Sequence, residues 1–217
     1  MLRNHFKIAL RNLRRNKAHL LINTLGLGLG SACAILIFLL VRYHLSFDDF
    51  HANPDRIYRF VTEQHRDNIS YANYVPNPLG KVFREDYTFS EQVARIATFD
   101  GELISVNSGK EIKKFKEENG VAFTETAFFD IFNYPLLQGN IKTALIEPNT
   151  AILTERLVKK YFGSSNPIGK VLRVDNRIDL RITGVLKNLP INTDRETEIY
   201  ASYTTLRAYE ERFARDD

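Results

Sequence analysis

The sequence predicts an α+β domain held outside a membrane by one N-terminal transmembrane helix. Three observations carry that expectation. An uncharged apolar run of 22 residues, Leu20–Val41, lies near the N-terminus. A cluster of basic side chains stands directly before it. Beyond it, short strand-like and helix-like patterns mix without a regular βαβ repeat.

The run reads LLINTLGLGLGSACAILIFLLV. As a helix it is about 33 Å long, enough for a hydrocarbon core of about 30 Å. Arg42, Tyr43 and His44 mark its far end. The first nineteen residues carry Arg3, Lys7, Arg11, Arg14, Arg15 and Lys17 and no acid. Of the 30 basic side chains six lie here, which leaves 24 against 26 acidic ones in the remainder, so the net charge of +4 comes from this end alone. A nucleic-acid protein more often spreads basic charge over its folded face. Beside an apolar run, the cluster instead places the N-terminus in the cytoplasm and residues after about 43 outside. A cleaved signal peptide fits less well, because its apolar core is about 7–15 residues. The one cysteine, Cys33, lies inside the run and forms no disulfide within the chain.

Two further features accompany the span. Leu2, Phe6, Ala9, Leu10 and Leu13 share one helical arc, with most basic residues in the neighbouring arc; a short amphipathic helix on the cytoplasmic leaflet is expected. Gly26, Gly30 and Ala34, four residues apart, form a small-residue stripe where another helix could pack closely. Gly26-Leu-Gly28-Leu-Gly30 lacks the spacing and preceding strand of a dinucleotide fingerprint.

In the outer region FDDFHANPDRIYRF, residues 47–60, predicts a helical extension, a turn at Asn53-Pro54, and a strand over Arg56–Thr62. Pro78 opens a short helix with Leu79, Val82 and Phe83 on one face. Strands are expected near 93–98, 102–107 and 111–116, with a turn at Asn107-Ser108-Gly109. Thr124 is expected to cap a helix carrying Ala127, Phe128, Ile131 and Phe132, and Thr154 another, through Leu157, Val158, Tyr161 and Phe162 and ended by Gly163. Strands near 170–175 and 179–187 flank a turn at Asp175-Asn176, and a last helix is expected over 203–213. The aromatic residues Tyr58, Phe60, Tyr71, Tyr74, Phe123, Phe128, Phe129, Phe132 and Tyr134 are core candidates, with an exposed subset as a partner surface.

Candidate chemical sites are few. Gly163-Ser-Ser-Asn-Pro-Ile-Gly169-Lys170 has five residues between its glycines where a phosphate loop needs four, and Val171 where it needs Ser or Thr. Its expected role is structural: Gly163 in a left-handed helix end, Pro167 fixing the turn, Gly169 permitting a tight start to the next strand. His44, Asp48, Asp49 and His51 contain metal-ligand types, but nothing else converges on them; a solvated helix is the expected reading, with no metal bound. No GxSxG nucleophile elbow or paired-carboxylate arrangement is present, so no catalytic site and no enzyme activity is expected.

Three segments carry a family likeness. FKIALRNLRRNKAHLLINTLGLGLG resembles the N-terminus of MacB/FtsX-type ABC transporter permeases, and FDDFHANPDRIYRF resembles the segment after the first helix in that family's Bacteroidetes-like branch. TAILTERLVKKYFGSSNPIGKVLRVDNRIDLRITGVLKNLP, residues 150–190, resembles the MacB-like periplasmic core domain. There Thr154-Glu155, Tyr161-Phe162-Gly163, Asn166-Pro167-Ile168-Gly169-Lys170, Thr183-Gly184-Val185 and Pro190 stand in place.

The resemblance implies permeases with four transmembrane helices and a large periplasmic domain between the first two. They pair as dimers and work with a separate or fused ATPase, whose cycle is passed up the helices to expel cargo, extract lipoproteins or activate a partner. Helices two to four are missing here. The expected organisation is a basic amphipathic helix over 1–19, the transmembrane helix over 20–43, a juxtamembrane stalk over 44–56, and the core domain over 57–217, incomplete at its C-terminus.

The expected function is that of a permease subunit, or its N-terminal fragment, in a bacterial inner membrane, coupling ATPase state to a periplasmic domain. The expected partners are an ABC ATPase subunit, a second permease as homo- or heterodimer, the lipid bilayer and a periplasmic partner, with no nucleic acid. No cofactor is expected in this chain; ATP would be bound by the partner ATPase. A single-pass anchored binding or sensor module is the alternative.

Overall fold

A computed structural model describes residues 15–65, 68–107 and 111–207, together with His5 and Arg11. The chain divides into two compact units, Met1–Phe47 and Asp48–Asp217. The arc of Leu2, Phe6, Ala9, Leu10 and Leu13 lies outside the described residues.

Helix α1 spans Lys17–Leu45, 29 residues with a mean hydropathy of 2.3 over its most apolar stretch. No residue between Lys17 and Arg42 is charged, and none of the helix is buried by the chain. A helix apolar on every side needs an apolar surrounding, and at about 1.5 Å per residue this one is long enough to cross a bilayer.

The outer unit is built on one mixed sheet. Its first elements stand apart: a two-stranded antiparallel sheet of β1 (Thr62–His65) and β2 (Ile69–Ala72), then helix α2 (Leu79–Asp86). Next come β3 (Ile96–Phe99), β4 (Leu103–Asn107), β5 (Ile112–Lys116), β6 (Val121–Thr124), α3 (Ala127–Phe132) and β7 (Leu136–Gly139). Then follow β8 (Thr150–Thr154), α4 (Glu155–Phe162), β9 (Val171–Val174), β10 (Ile178–Leu186) and β11 (Ile199–Ser202). Among the described residues nine strands form the main sheet, in the order β3-β6-β11-β8-β10-β9-β4-β5, with β7 on the far half of β10. The pairs β6–β11 and β8–β10 are parallel and the others antiparallel.

Strand alternation divides the core into two layers. Phe123, Ala151, Leu153, Ile199 and Ala201 point to one side with Leu157 and Tyr161 of α4. Their neighbours Ala122, Ile152 and Tyr200 point to the other, with Phe128 and Phe129 of α3 and with Tyr134. The central strands are therefore buried on both faces, the pattern of a sheet covered on each side.

Several local expectations are corrected. Residues 57–61 form no strand; Pro54–Arg56 is a single 3₁₀ turn and pairing begins at Thr62. Among the described residues no strand pairs with 57–61, and Tyr58 and Phe60 on one face and Val61 on the other are exposed, so the alternation marks no buried side. Thr124 ends β6, and its hydroxyl donates to the Arg95 carbonyl (2.8 Å) rather than capping α3. Thr154 does precede α4, but its hydroxyl donates to Glu198 Oε1 (2.8 Å) instead of the helix amides. Around 203 the chain makes a 3₁₀ turn, Tyr203–Thr205, that runs into helical residues 206–207, and 208–213 of the expected last helix lie outside the described residues. Ser108 and Gly109 also lie outside them, although β4 and β5 pair as a hairpin requires. Asp175 and Asn176 both take positive φ (46° and 56°), and the Arg177 amide donates to the Val174 carbonyl, closing the β9–β10 turn.

The 163–170 segment is a compact double turn. Gly163 has φ 63° and ψ −122°, not the left-handed helical pair, and the Ser165 amide donates to the Phe162 carbonyl at 3.2 Å. This is the first central position of a type II′ turn, which glycine alone fills without strain. Pro167 is buried, and the Gly169 amide, at φ 82°, donates to the Ile182 carbonyl at 2.8 Å. A Cβ on Gly163 meets nothing within 4 Å, whereas one on Gly120 (φ 53°) would sit 1.6 Å from the Phe99 carbonyl oxygen. Gly120→Ala is therefore expected to lower unfolding free energy by more than about 3 kcal/mol, and Gly163→Ala by about 1–2 kcal/mol. Denaturant unfolding of both variants checks this; equal losses would contradict it.

Candidate functional site

The chain enters the outer unit at Asp48, and the unit holds it there. Asp48 takes φ 58°, a left-handed conformation that aspartate tolerates better than most residues. The reversal ends any continuation of α1, so the expected helical extension is replaced by a bound turn. The Asp48 amide donates to the Asn192 carbonyl (3.1 Å), and the Thr193 hydroxyl donates to Asp48 Oδ1 (2.6 Å). Asp48 Oδ2 faces the Asp194 amide at 3.4 Å. A carboxylate accepting from a hydroxyl and an amide makes charge-assisted bonds, stronger than neutral ones.

Three residues on, His51 is 6% exposed. Its amide donates to the Asp48 carbonyl at 3.3 Å. Its Nδ1 lies 2.8 Å from the Phe132 carbonyl, an acceptor only, which places the proton on Nδ1. Its Nε2 stands 3.8 Å from Asp48 Oδ1. The ring packs against Phe50, Phe132 and Tyr134, with centroids at 4.1, 5.1 and 5.7 Å. Arg195 lies over the Phe132 ring at 4.9 Å. Burial pushes the Tyr134 phenol up to about 12, against the lowering effects of the Arg195 charge and the Tyr200 hydroxyl, so it stays neutral in physiological buffers. Burial pushes Tyr200 up as well.

These contacts tie residues 48–51 to two distant stretches. One is the 132–134 reversal, where Asn133 takes φ 51° between α3 and β7. The other is 192–195, the lead into β11. From Asp48 on, the chain belongs to the outer unit. Asp48 and His51, weighed as metal-ligand types, are engaged in this clamp. Among the described residues no group of three or more His, Cys, Asp or Glu could hold a metal. Asn192, Thr193 and Arg195 carry no sequence pattern that would have singled them out.

Two other polar clusters brace the domain. Arg95 donates to Glu125 Oε1 through Nη2 (2.6 Å) and Nε (3.0 Å) and through its amide to Oε2 (3.1 Å); Arg84 also pairs with Glu125. Burial raises the Glu125 carboxyl, but the Arg95 and Arg84 hydrogen bonds and the Arg95 charge outweigh it and hold it below its ordinary 4.5. This cluster lines a cleft of about 710 Å³ between α2, residues 87–95 and Tyr203. On α4, Tyr161 and Lys160 both donate to Glu117 Oε1 at 2.7 Å. On α1, Gly26, Gly30 and Ala34 share a face and are exposed, and among the described residues a Cβ on either glycine would meet nothing within 4 Å.

An apolar helix long enough to cross a bilayer precedes a two-layered α+β domain. Residues 20–216 match the MacB-like periplasmic core domain family, and the chain belongs to that family. A curated relative is the pyoverdine export ATP-binding/permease protein PvdT of Pseudomonas aeruginosa, 30% identical over 128 residues, which are 55% of this chain and 19% of that protein. The chain thus spans about a fifth of that relative's length. A domain ascribed to a permease of Porphyromonas gingivalis shares the fold at 22% identity and a TM-score of 0.50, over 58% of this chain and 56% of that one. The periplasmic region of MacB from Actinobacillus actinomycetemcomitans aligns over 58% of this chain and 53% of its own at 22% identity and a TM-score of 0.44.

Two predictions concern these clusters. A double-mutant cycle of Asp48→Ala and Thr193→Val is expected to give a coupling energy of about 1–2 kcal/mol in denaturant unfolding. Additive losses would mean that the hydroxyl–carboxylate bond holds nothing. A carboxyl lowered by folding stabilises fully above its ordinary value and loses that contribution as pH falls through the folded value. Glu125→Gln is therefore expected to be less stable than the natural chain at neutral pH, with the gap closing below pH 4.5. A gap independent of pH would contradict this.

Proposed function

We propose that this chain is the first membrane span and outer domain of an ABC-type permease, which passes the state of a cytoplasmic ATPase to a periplasmic domain by mechanical coupling. The observation that carries the reading is the clamp: the apolar helix of a MacB-like family chain leads within three residues into a turn bonded to the 132–134 reversal and to the 192–195 stretch. A displacement of α1 would reach Asn192–Arg195, and through them β11 at the centre of the sheet.

In this reading the basic N-terminus stays in the cytoplasm and the outer unit faces the periplasm of an inner-membrane protein. ATP is bound by the partner ATPase and this chain carries no catalytic centre. A second permease copy or homologue packs on the Gly26, Gly30 and Ala34 stripe. A periplasmic partner or cargo meets the outer unit. An anchored binding module is a second reading, and the cleft beside Glu125 is what favours it.

The two readings separate in one experiment. The chain, tagged in its source cells and solubilised in mild detergent, is expected to bring down an ATPase and to crosslink to a second permease. Gly26→Leu and Gly30→Leu are expected to reduce that crosslinking several-fold, as large side chains hold helices apart. Loss of neither partner in the variants would remove the stripe from the account. Absence of both partners from the natural chain would favour the anchored module.

A further inference from the structure

Chain length alone limits how far one loop of the outer unit can stand from the bilayer. Helix α1 ends at Leu45, and the Asp48 amide is bonded to the Asn192 carbonyl at 3.1 Å. Three residues reach at most about 10 Å. With the 3.1 Å hydrogen bond added, the carbonyl of residue 192 stays within about 15 Å of Leu45.

The residue before it is Ile191. It is 92% exposed, the highest value of any large apolar side chain among the described residues. Pro190, also exposed, precedes it and brings no amide that would have to be desolvated. The loop is held at both ends: the Lys187 amide donates to the Pro135 carbonyl (2.9 Å), and Thr193 is bonded to Asp48. Two more exposed apolar side chains stand in segments that the same bonds bring to this end of the domain, Leu137 in β7 and Phe50 in the clamped turn. A single exposed isoleucine on a soluble domain needs no explanation. One fixed at the tip of a braced loop, within a tether's length of lipid, has an apolar solvent in reach.

We infer that the Pro190–Ile191 tip inserts into the interfacial region of the outer leaflet, so that the outer unit rests on the lipid surface at a second point besides its covalent link to α1. The occupant is the bilayer itself, continuous with the medium around α1. The insertion would limit tilting of the outer unit, so that movement of α1 displaces the clamp instead of swinging the domain. This rests on the reading that α1 crosses a bilayer, and the test keeps the two apart.

The full chain is reconstituted in phosphatidylethanolamine–phosphatidylglycerol vesicles in a Cys33→Ser background, with a nitroxide on Ile191→Cys, Leu36→Cys or Ile112→Cys. Collision with oxygen is compared with collision with a water-soluble nickel chelate. The ratio at Ile191→Cys is expected to exceed that at Ile112→Cys, on the edge strand β5, by about threefold or more, as interfacial burial requires. Leu36→Cys is expected to be higher still. Equal ratios at Ile191→Cys and Ile112→Cys, with Leu36→Cys in lipid, would overturn the inference and leave the span intact. A water-like ratio at Leu36→Cys would overturn both.

Discussion

A chain that leaves a bilayer can act on a folded domain only where the domain grips it. If the first residues of the domain were a loose tether, movement of the helix would be absorbed as slack. Here the grip begins three residues after the last helical turn. Asp48 contributes its amide, both carboxylate oxygens and a left-handed backbone; His51 contributes a buried ring bonded to Phe132. The bonds close across sequence separations of 145 and 81 residues. They can form only once the 132–134 and 192–195 segments have been brought to residues 48–51.

What the junction grips is stiff for a separate reason. The strands β6, β11 and β8, paired side by side, carry apolar residues into both layers, and the three end in hydroxyl residues that secure the flanking loops. Thr124 donates to Arg95, Thr154 to Glu198 and Ser202 to the Leu145 carbonyl. An interior packed on both sides transmits displacement with little compression. The aromatic group of His51, Phe128, Phe132, Tyr134 and Tyr200 joins the clamp to one of those layers. The clamp and the central sheet thus belong to one packed unit.

The parts visible in the sequence are those with a period or a boundary signal. Twenty-two uncharged residues between basic flanks announced α1, and the apolar face of 155–162 with Gly163 behind it announced α4. The central strands were not visible for the same reason that they are central. VAFT, TAILT and IYAS are buried on both faces, so they lack the alternation that marks a half-buried strand, and they are only four or five residues long. The converse error fell on 57–61, where a clean alternation has no partner strand and no buried side. The stripe Gly26, Gly30 and Ala34 was readable because a single helix displays it. The clamp was not, because Asn192, Thr193 and Arg195 are ordinary loop residues until the fold brings Asp48 and Phe132 to them. Capping shows the same limit: Thr124 and Thr154 have the right residue type, yet long-range acceptors take their hydroxyls.

The most direct test of this account is hydrogen exchange at the junction, measured on the full chain in lipid nanodiscs. The amides of Asp48 and His51 are compared with those of Leu153 and Tyr200 in the central strands. A clamp integral to the core predicts that all four exchange on the same slow timescale, by the same global opening. Rapid exchange at Asp48 and His51 beside a protected central sheet would mean that the span ends in a loose tether, and the mechanical account would fail.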